Sequence, residues 1–365
     1  MFGFDQERWR RVEINHRKWW TGELGRPLIQ VRLGGKDPRR EAPKVLPRVV
    51  SLGYDEHVCP EDVVDAWDYD LCSTEFLGDA IPFACPMYGS SAMAVFIGTR
   101  CDVSENTIWH HPWNEQDVRK MRIDYVLDHP SYIWIKQMYQ AAADKWQGGA
   151  QLGITNLGGI YDILTMIMPP QKLIMEMIDN PEEVKRLARE AHEVWWQYFN
   201  ELNGMLMRGN RAYADFWIPI MCDKPTFLLQ SDFCCMVGLH MFDEFIKPEL
   251  AASCAKMGGA MFHLDGPGAL KHLDSLLEIP ELKAIQWIPG AGAPDVTQWP
   301  EIFAKIRRAG KLIHLVGSGA MHDLDVVAEQ LGSAEGLVYL AEGQIGQKNQ
   351  FCEWLAKYGI SPNGI

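Results

Sequence analysis

Short runs of apolar, β-branched and aromatic residues alternate along this chain with longer segments in which apolar residues recur every three or four positions. That is the pattern of strands separated by amphipathic helices. PLIQVRL (27–33), AIPFACPM (80–87), AQLGITNL (150–157), TFLLQSDF (226–233), AMFHLD (260–265), KAIQWIP (283–289), KLIHLVG (311–317) and GLVYLAE (336–342) predict eight strands. Strand–helix alternation of this kind predicts an α/β fold, a (β/α)8 TIM barrel forming one domain over residues 1–365. No glycine-rich phosphate loop follows the first strand, which argues against an open dinucleotide-binding sheet. AYADFWIPIMC (212–222) predicts an extra strand or a hairpin with 226–233, and the long stretch 88–149 after the second strand predicts an excursion above the barrel.

The helix signals agree with this order. Asn180, Pro181, Glu182 and Glu183 form an N-cap, a first-turn proline and two acids at the positive end of a helix dipole. A second helix is expected from His240 past Pro248 to Lys256, and a third from Pro300, closed by Gly310.

Composition narrows the function classes. With 47% hydrophobic and 23% charged residues the 365-residue chain is globular, and its net charge of −13 without a dense basic run argues against nucleic acid as a partner. The sequence has no stretch long and apolar enough to span a membrane, so membrane insertion is not expected and a cytoplasmic location is. Nine cysteines without zinc-type CxxC pairs predict reduced thiols rather than a disulfide framework.

In a (β/α)8 barrel the chemistry lies at the carboxyl ends of the strands. The polar residues expected there are Arg32, Asp79, Asn156, Gln230, Asp232, His263, Asp265, Gln286 and Glu342. His263 and Asp265 are two apart on one strand and therefore share a face, and burying two ionisable groups without a role is costly. Asp232 has two readings, a site acid or a cap for the helix starting near Leu239. His314, among apolar neighbours, reads as a hydrogen-bonded core histidine. Trp287, at a strand end, reads as a flat wall for a ligand. A metal needs at least three ligands, and His263, Asp265 and, by barrel closure, Glu342 are the expected set for zinc or another divalent ion.

The order of these motifs resembles the uroporphyrinogen decarboxylase superfamily, which includes the corrinoid and coenzyme M methyltransferases. The resemblance lies in RPLIQVRLGG, GDAIPFACPMYG, NPEEVKRL, LLQSDFCCMVGLHMFDEFIKPEL, MFHLDGPGALKHLDSLL, AIQWIPGAG and GLVYLAEGQIG, and spans most of the chain. It implies that the decarboxylase arginine falls on Arg32 and the central aspartate on Asp79. It also implies that the methyltransferase zinc histidine falls on His263. Asp265 stands where those methyltransferases have a cysteine and Gly343 roughly where they have a second. The decarboxylase Gly-His-Gly falls on Glu342-Gly343-Gln344, without the histidine, and Gly34-Gly35-Lys36 replaces its arginine-rich segment. Losing both thiolates favours an oxygen-ligand substrate over a thiol.

The reading that follows is a methyltransferase-like enzyme that demethylates a small substrate and passes the methyl group to a corrinoid protein. His263, Asp265, Asp79 and Asp232 are its expected catalytic residues, with Arg32, Asn156, Gln230, Trp287 and Tyr161 around the substrate. A homodimer is expected. The alternatives are a metal-free decarboxylase or lyase, with Arg32 holding a carboxylate and Asp79 a developing cation, and a non-catalytic ligand-binding barrel.

Overall fold

The structure is a computed structural model that describes residues 2, 4–46, 48, 51, 58–104 and 107–362. Its central strands are β1 (Leu28–Gly34), β2 (Phe83–Ala84), β3 (Gln151–Leu152), β4 (Thr226–Gln230), β5 (Gly259–Asp265), β6 (Leu282–Ile288), β7 (Leu312–Leu315) and β8 (Leu337–Gln344). Six of them form a parallel sheet in the order β1-β8-β7-β6-β5-β4, while β2 and β3 make a separate parallel pair. Connections between the parallel strands run through helices, so the strands are covered and read as nearly continuous apolar runs.

Three elements depart from the sequence reading. Pro82 and Pro86 flank the second strand, and without N–H groups they leave only Phe83 and Ala84 in the ladder. Before it, Glu75–Gly78 forms an unforeseen strand that runs antiparallel to β1, pairing Gln30 with Gly78 and Leu33 with Glu75. The 212–222 segment does form a hairpin, but with itself: Tyr213–Ala214 pairs with Met221–Cys222. The 88–149 stretch contains a short helix at Ala92–Phe96, a hairpin of Arg100–Val103 with Ile108–His111, and a helix at Pro130–Trp146.

The helix Pro181–Leu206 starts where the proline and acids place it. Asn180 occupies the cap position, yet its amide donates to Glu176 Oε2 at 2.7 Å instead of capping the helix. The buried face carries Leu187, Ala191, Trp195, Phe199 and Leu202, and Trp195 packs on Phe199 and Phe227 with ring centroids 4.9 and 5.0 Å apart. The helix expected from His240 is broken into Leu239–Met241, a π-helical turn at Phe242–Ile246 and an α-helix at Lys247–Lys256. Pro248, lacking a backbone donor, sits at the join, and the wider turn absorbs the lost hydrogen bond.

Among the described residues no helix is long and apolar enough to cross a membrane. All nine cysteines are free thiols.

Candidate functional site

Directly paired residues of a parallel sheet point to the same side, so the register places side chains in rows. Gln230, His263, Gln286 and His314 are partners on β4, β5, β6 and β7 and form one such row. All four are buried. Gln286 joins its neighbours: its Oε1 accepts from His263 Nδ1, and its Nε2 donates to His314 Nδ1 at 2.8 Å. Burial, and then the nearby His263 ring, lower the His314 pKa to about 3, so this imidazole is neutral near pH 7.

Toward the carboxyl ends of the strands, two acids join His263. Asp265 is the last residue of β5, and Gly266 follows it with φ +73°, turning the chain away where a side chain would be strained. Asp232 opens the 3-10 turn Asp232–Met236 after β4. One ligand atom from each of Asp232, His263 and Asp265 lies within 4.8 Å of the others. Packing around Asp232 and the neighbouring Asp265 carboxylate raise its pKa, although the residue reaches solvent. Among the described residues neither carboxylate forms an ion pair with a lysine or arginine.

The Asp232 turn is held by a residue the sequence reading passed over. Asp162, in the first turn of the helix Ile160–Ile167, is buried and its Oδ1 accepts from the Phe233 N–H at 2.9 Å. Burial, followed by the charge of Asp232, raises the Asp162 pKa. An acid inside the apolar stretch IYDIL was the available signal, since nothing local balances it. Trp217, in the loop joining Tyr213–Ala214 to Met221–Cys222, completes the surroundings: its ring lies 5.4 Å from the His263 ring and is 45% exposed.

The other expected site residues fall in several places. Asn156 donates to Gln230 Oε1 at 3.1 Å, and Gln230 Nε2 reaches Asp162 Oδ2 at 3.4 Å, so these amides border the acidic cluster as a buried brace. Tyr161 is buried and stacked on Phe233, with centroids 6.2 Å apart. Arg32 reaches Asp70 at 3.4 Å. Glu342 is exposed and does not join the three-residue cluster, where Asp232 stands in its place.

Two placements correct the sequence reading. Asp79 is fully buried at the amino end of β1, where Arg26 binds it in two-pronged fashion at 2.7 and 2.9 Å, Asn15 at 2.8 Å and the Ile29 N–H at 3.2 Å. The reversed strand Glu75–Gly78 carries it there, to the end of β1 opposite the one where the parallel strands deliver His263 and Asp265. Trp287 alternates with Gln286, so it faces away from the row, and it is fully buried 5.2 Å from Trp299. It packs the layer between strand and helix and offers no wall to a ligand at His263.

The donor set fits a divalent ion. It offers one imidazole nitrogen and carboxylate oxygens from two residues, suited to zinc or a harder transition ion, and leaves coordination positions open. The Nδ1 hydrogen bond to Gln286 leaves His263 Nε2 as the nitrogen able to bind.

No protein-family model matches this chain, and no curated protein matches it. A solved structure, a methyltransferase from Methanosarcina mazei, superposes with a TM-score of 0.59 at 10% sequence identity, covering 91% of this chain and 93% of that one. The two share a mixed α/β fold over nearly their whole lengths.

Proposed function

We propose that this chain is a metal-dependent methyltransferase that acts on a small methylated oxygen or nitrogen compound and delivers the methyl group to a corrinoid carried by a partner protein. The observation that carries the reading is the convergence of Asp232, His263 and Asp265 within 4.8 Å, two carboxylates without a lysine or arginine partner among the described residues, beside an imidazole whose Nδ1 is taken by Gln286. Likeness to the fold of a methyltransferase supports the reaction class. The corrinoid acceptor and a homodimer follow from the family resemblance and remain part of the proposal.

The same proposal takes the six-stranded sheet and the β2–β3 pair as sections of one eight-stranded barrel. The Asn156–Gln230 hydrogen bond supports it, joining the turn after β3 to the end of β4. Gly159 supports it too, since a Cβ there would lie 2.0 Å from Gln230 O, a close approach that admits only glycine.

At this site Asp232, His263 and Asp265 would hold the ion, which when bound supplies Lewis acidity toward the leaving heteroatom. In the transfer the bond between methyl carbon and heteroatom breaks with its electron pair staying on the heteroatom, while the acceptor supplies the pair for the new bond. Trp217 borders the substrate space, and Asp162 holds the turn that carries Asp232. The decarboxylase alternative loses its central residue, because Asp79 is committed to Arg26 at the other end of β1.

The test is metal content after controlled reloading, with methyl transfer to reduced cobalamin from a panel of methyl ethers and methylamines. One divalent ion per chain, lost in His263→Ala together with turnover, supports the proposal. A metal-free wild type after reloading counts against it, and metal and ligand binding without turnover identifies the non-catalytic barrel.

A further inference from the structure

We infer that Gln286 and His314 are positioning residues that set the tautomer of His263 and thereby its competence to bind a metal, an inference that rests on the metal site proposed above. The three side chains occupy matched positions on β5, β6 and β7 and are joined in series through Gln286, which is fully buried. A primary amide has one face that accepts and one that donates, so it can satisfy its two neighbours in only two ways.

In the arrangement observed, the Gln286 oxygen takes the Nδ1 proton of His263 and its NH2 group donates to His314 Nδ1. His263 Nε2 then carries a lone pair. With the amide turned over, His314 Nδ1–H would donate to the oxygen and the NH2 group would donate to His263 Nδ1. The His263 proton would then sit on Nε2 and block it. His314 is therefore coupled to the setting without touching the metal position, through which of its own nitrogens carries hydrogen. Burial of the row keeps water from substituting for either partner. The setting present is the one that a metal ligand at His263 Nε2 requires.

The test uses the full-length protein with 15N-labelled histidine, reading the ring nitrogens of His263 by NMR and zinc affinity by chelator competition. Metal-free wild type should show the Nδ1–H tautomer at His263. Gln286→Leu should lose about 10- to 100-fold in zinc affinity. Gln286→Glu, which keeps an oxygen acceptor, should retain the tautomer and most of the affinity, and His314→Phe should give a mixture of His263 tautomers. An Nε2–H tautomer in metal-free wild type overturns the inference, as does wild-type zinc affinity in a folded Gln286→Leu. Zinc binding that is absent from wild type overturns the metal proposal, while the ring spectra, which need no metal or variant, still decide the role of Gln286.

Discussion

Asp232, in the turn after β4, and Asp265, at the tip of β5, bring carboxylate oxygens within 4.8 Å of each other and of a His263 ring nitrogen, and among the described residues no lysine or arginine is paired to either. Two like charges at this separation repel, and a cation reverses the sign of their effect on stability. Asp232→Asn should therefore raise the melting temperature of metal-free protein, by the equivalent of about 0.5–1 kcal/mol. With saturating zinc the same variant should be less stable than wild type. Differential scanning calorimetry with and without metal reads both signs, and an identical shift under the two conditions would sink the idea that these acids share an ion.

Asp79 gives a prediction of the opposite kind. Its carboxylate is buried and held by Arg26, Asn15 and the Ile29 amide, so Asp79→Ala leaves a guanidinium without its partner. The expected cost is about 3–5 kcal/mol in urea denaturation. Zinc affinity of the remaining folded protein should stay within about twofold, since sites far apart without shared partners behave independently. A stable variant with abolished chemistry would return Asp79 to the active site.

Trp287 separates packing from ligand contact in the same way. Fully buried against Trp299, it should cost about 3–5 kcal/mol when truncated to alanine. Trp217, nearly half exposed beside His263, should behave in reverse. Trp217→Ala should leave stability within about 1 kcal/mol and reduce the tryptophan fluorescence change expected on adding a quenching ion such as Co2+. Persistence of the full fluorescence change in Trp217→Ala would show that the ion binds elsewhere.

Asp215 predicts a pH dependence. Burial raises its pKa to about 7, against about 3.9 in an unfolded chain. The folded state thus holds a proton that the unfolded state has released. Its contribution to stability is present below pH ~4 and is lost as pH rises toward ~7, at up to about 1.4 kcal/mol per pH unit, then levels off. Urea midpoints of wild type should fall between pH 5 and 7.5, and Asp215→Asn should flatten that fall. An equally steep fall in the variant would assign the proton to another group.

The long parallel strands were legible because a strand packed in the interior must be mostly apolar, as 259–265, 282–288 and 337–344 are. The short ones were not. Prolines at 82 and 86 leave only two residues in the ladder of β2, and Glu75–Gly78 has no apolar run to announce it. That missed strand caused the larger error, since its reversed direction carries Asp79 to the amino end of β1.

For the site, sequence alone determined that His263 and Asp265 share a face, because strand geometry ties residues two apart to one side whatever surrounds them. It also determined that Gln286 and Trp287 point in opposite directions, though not which of them faces the histidine. The second acid, the amide that holds His263 and the histidine that orients the amide lie on other strands or turns; the parallel register brings Gln286 and His314 into one row with His263, and the turn after β4 brings Asp232 to the cluster. Register is set by the packing of whole strands and helices. For that reason Asp232 joins the cluster, Glu342 stands outside it, and His314 reaches His263 through Gln286.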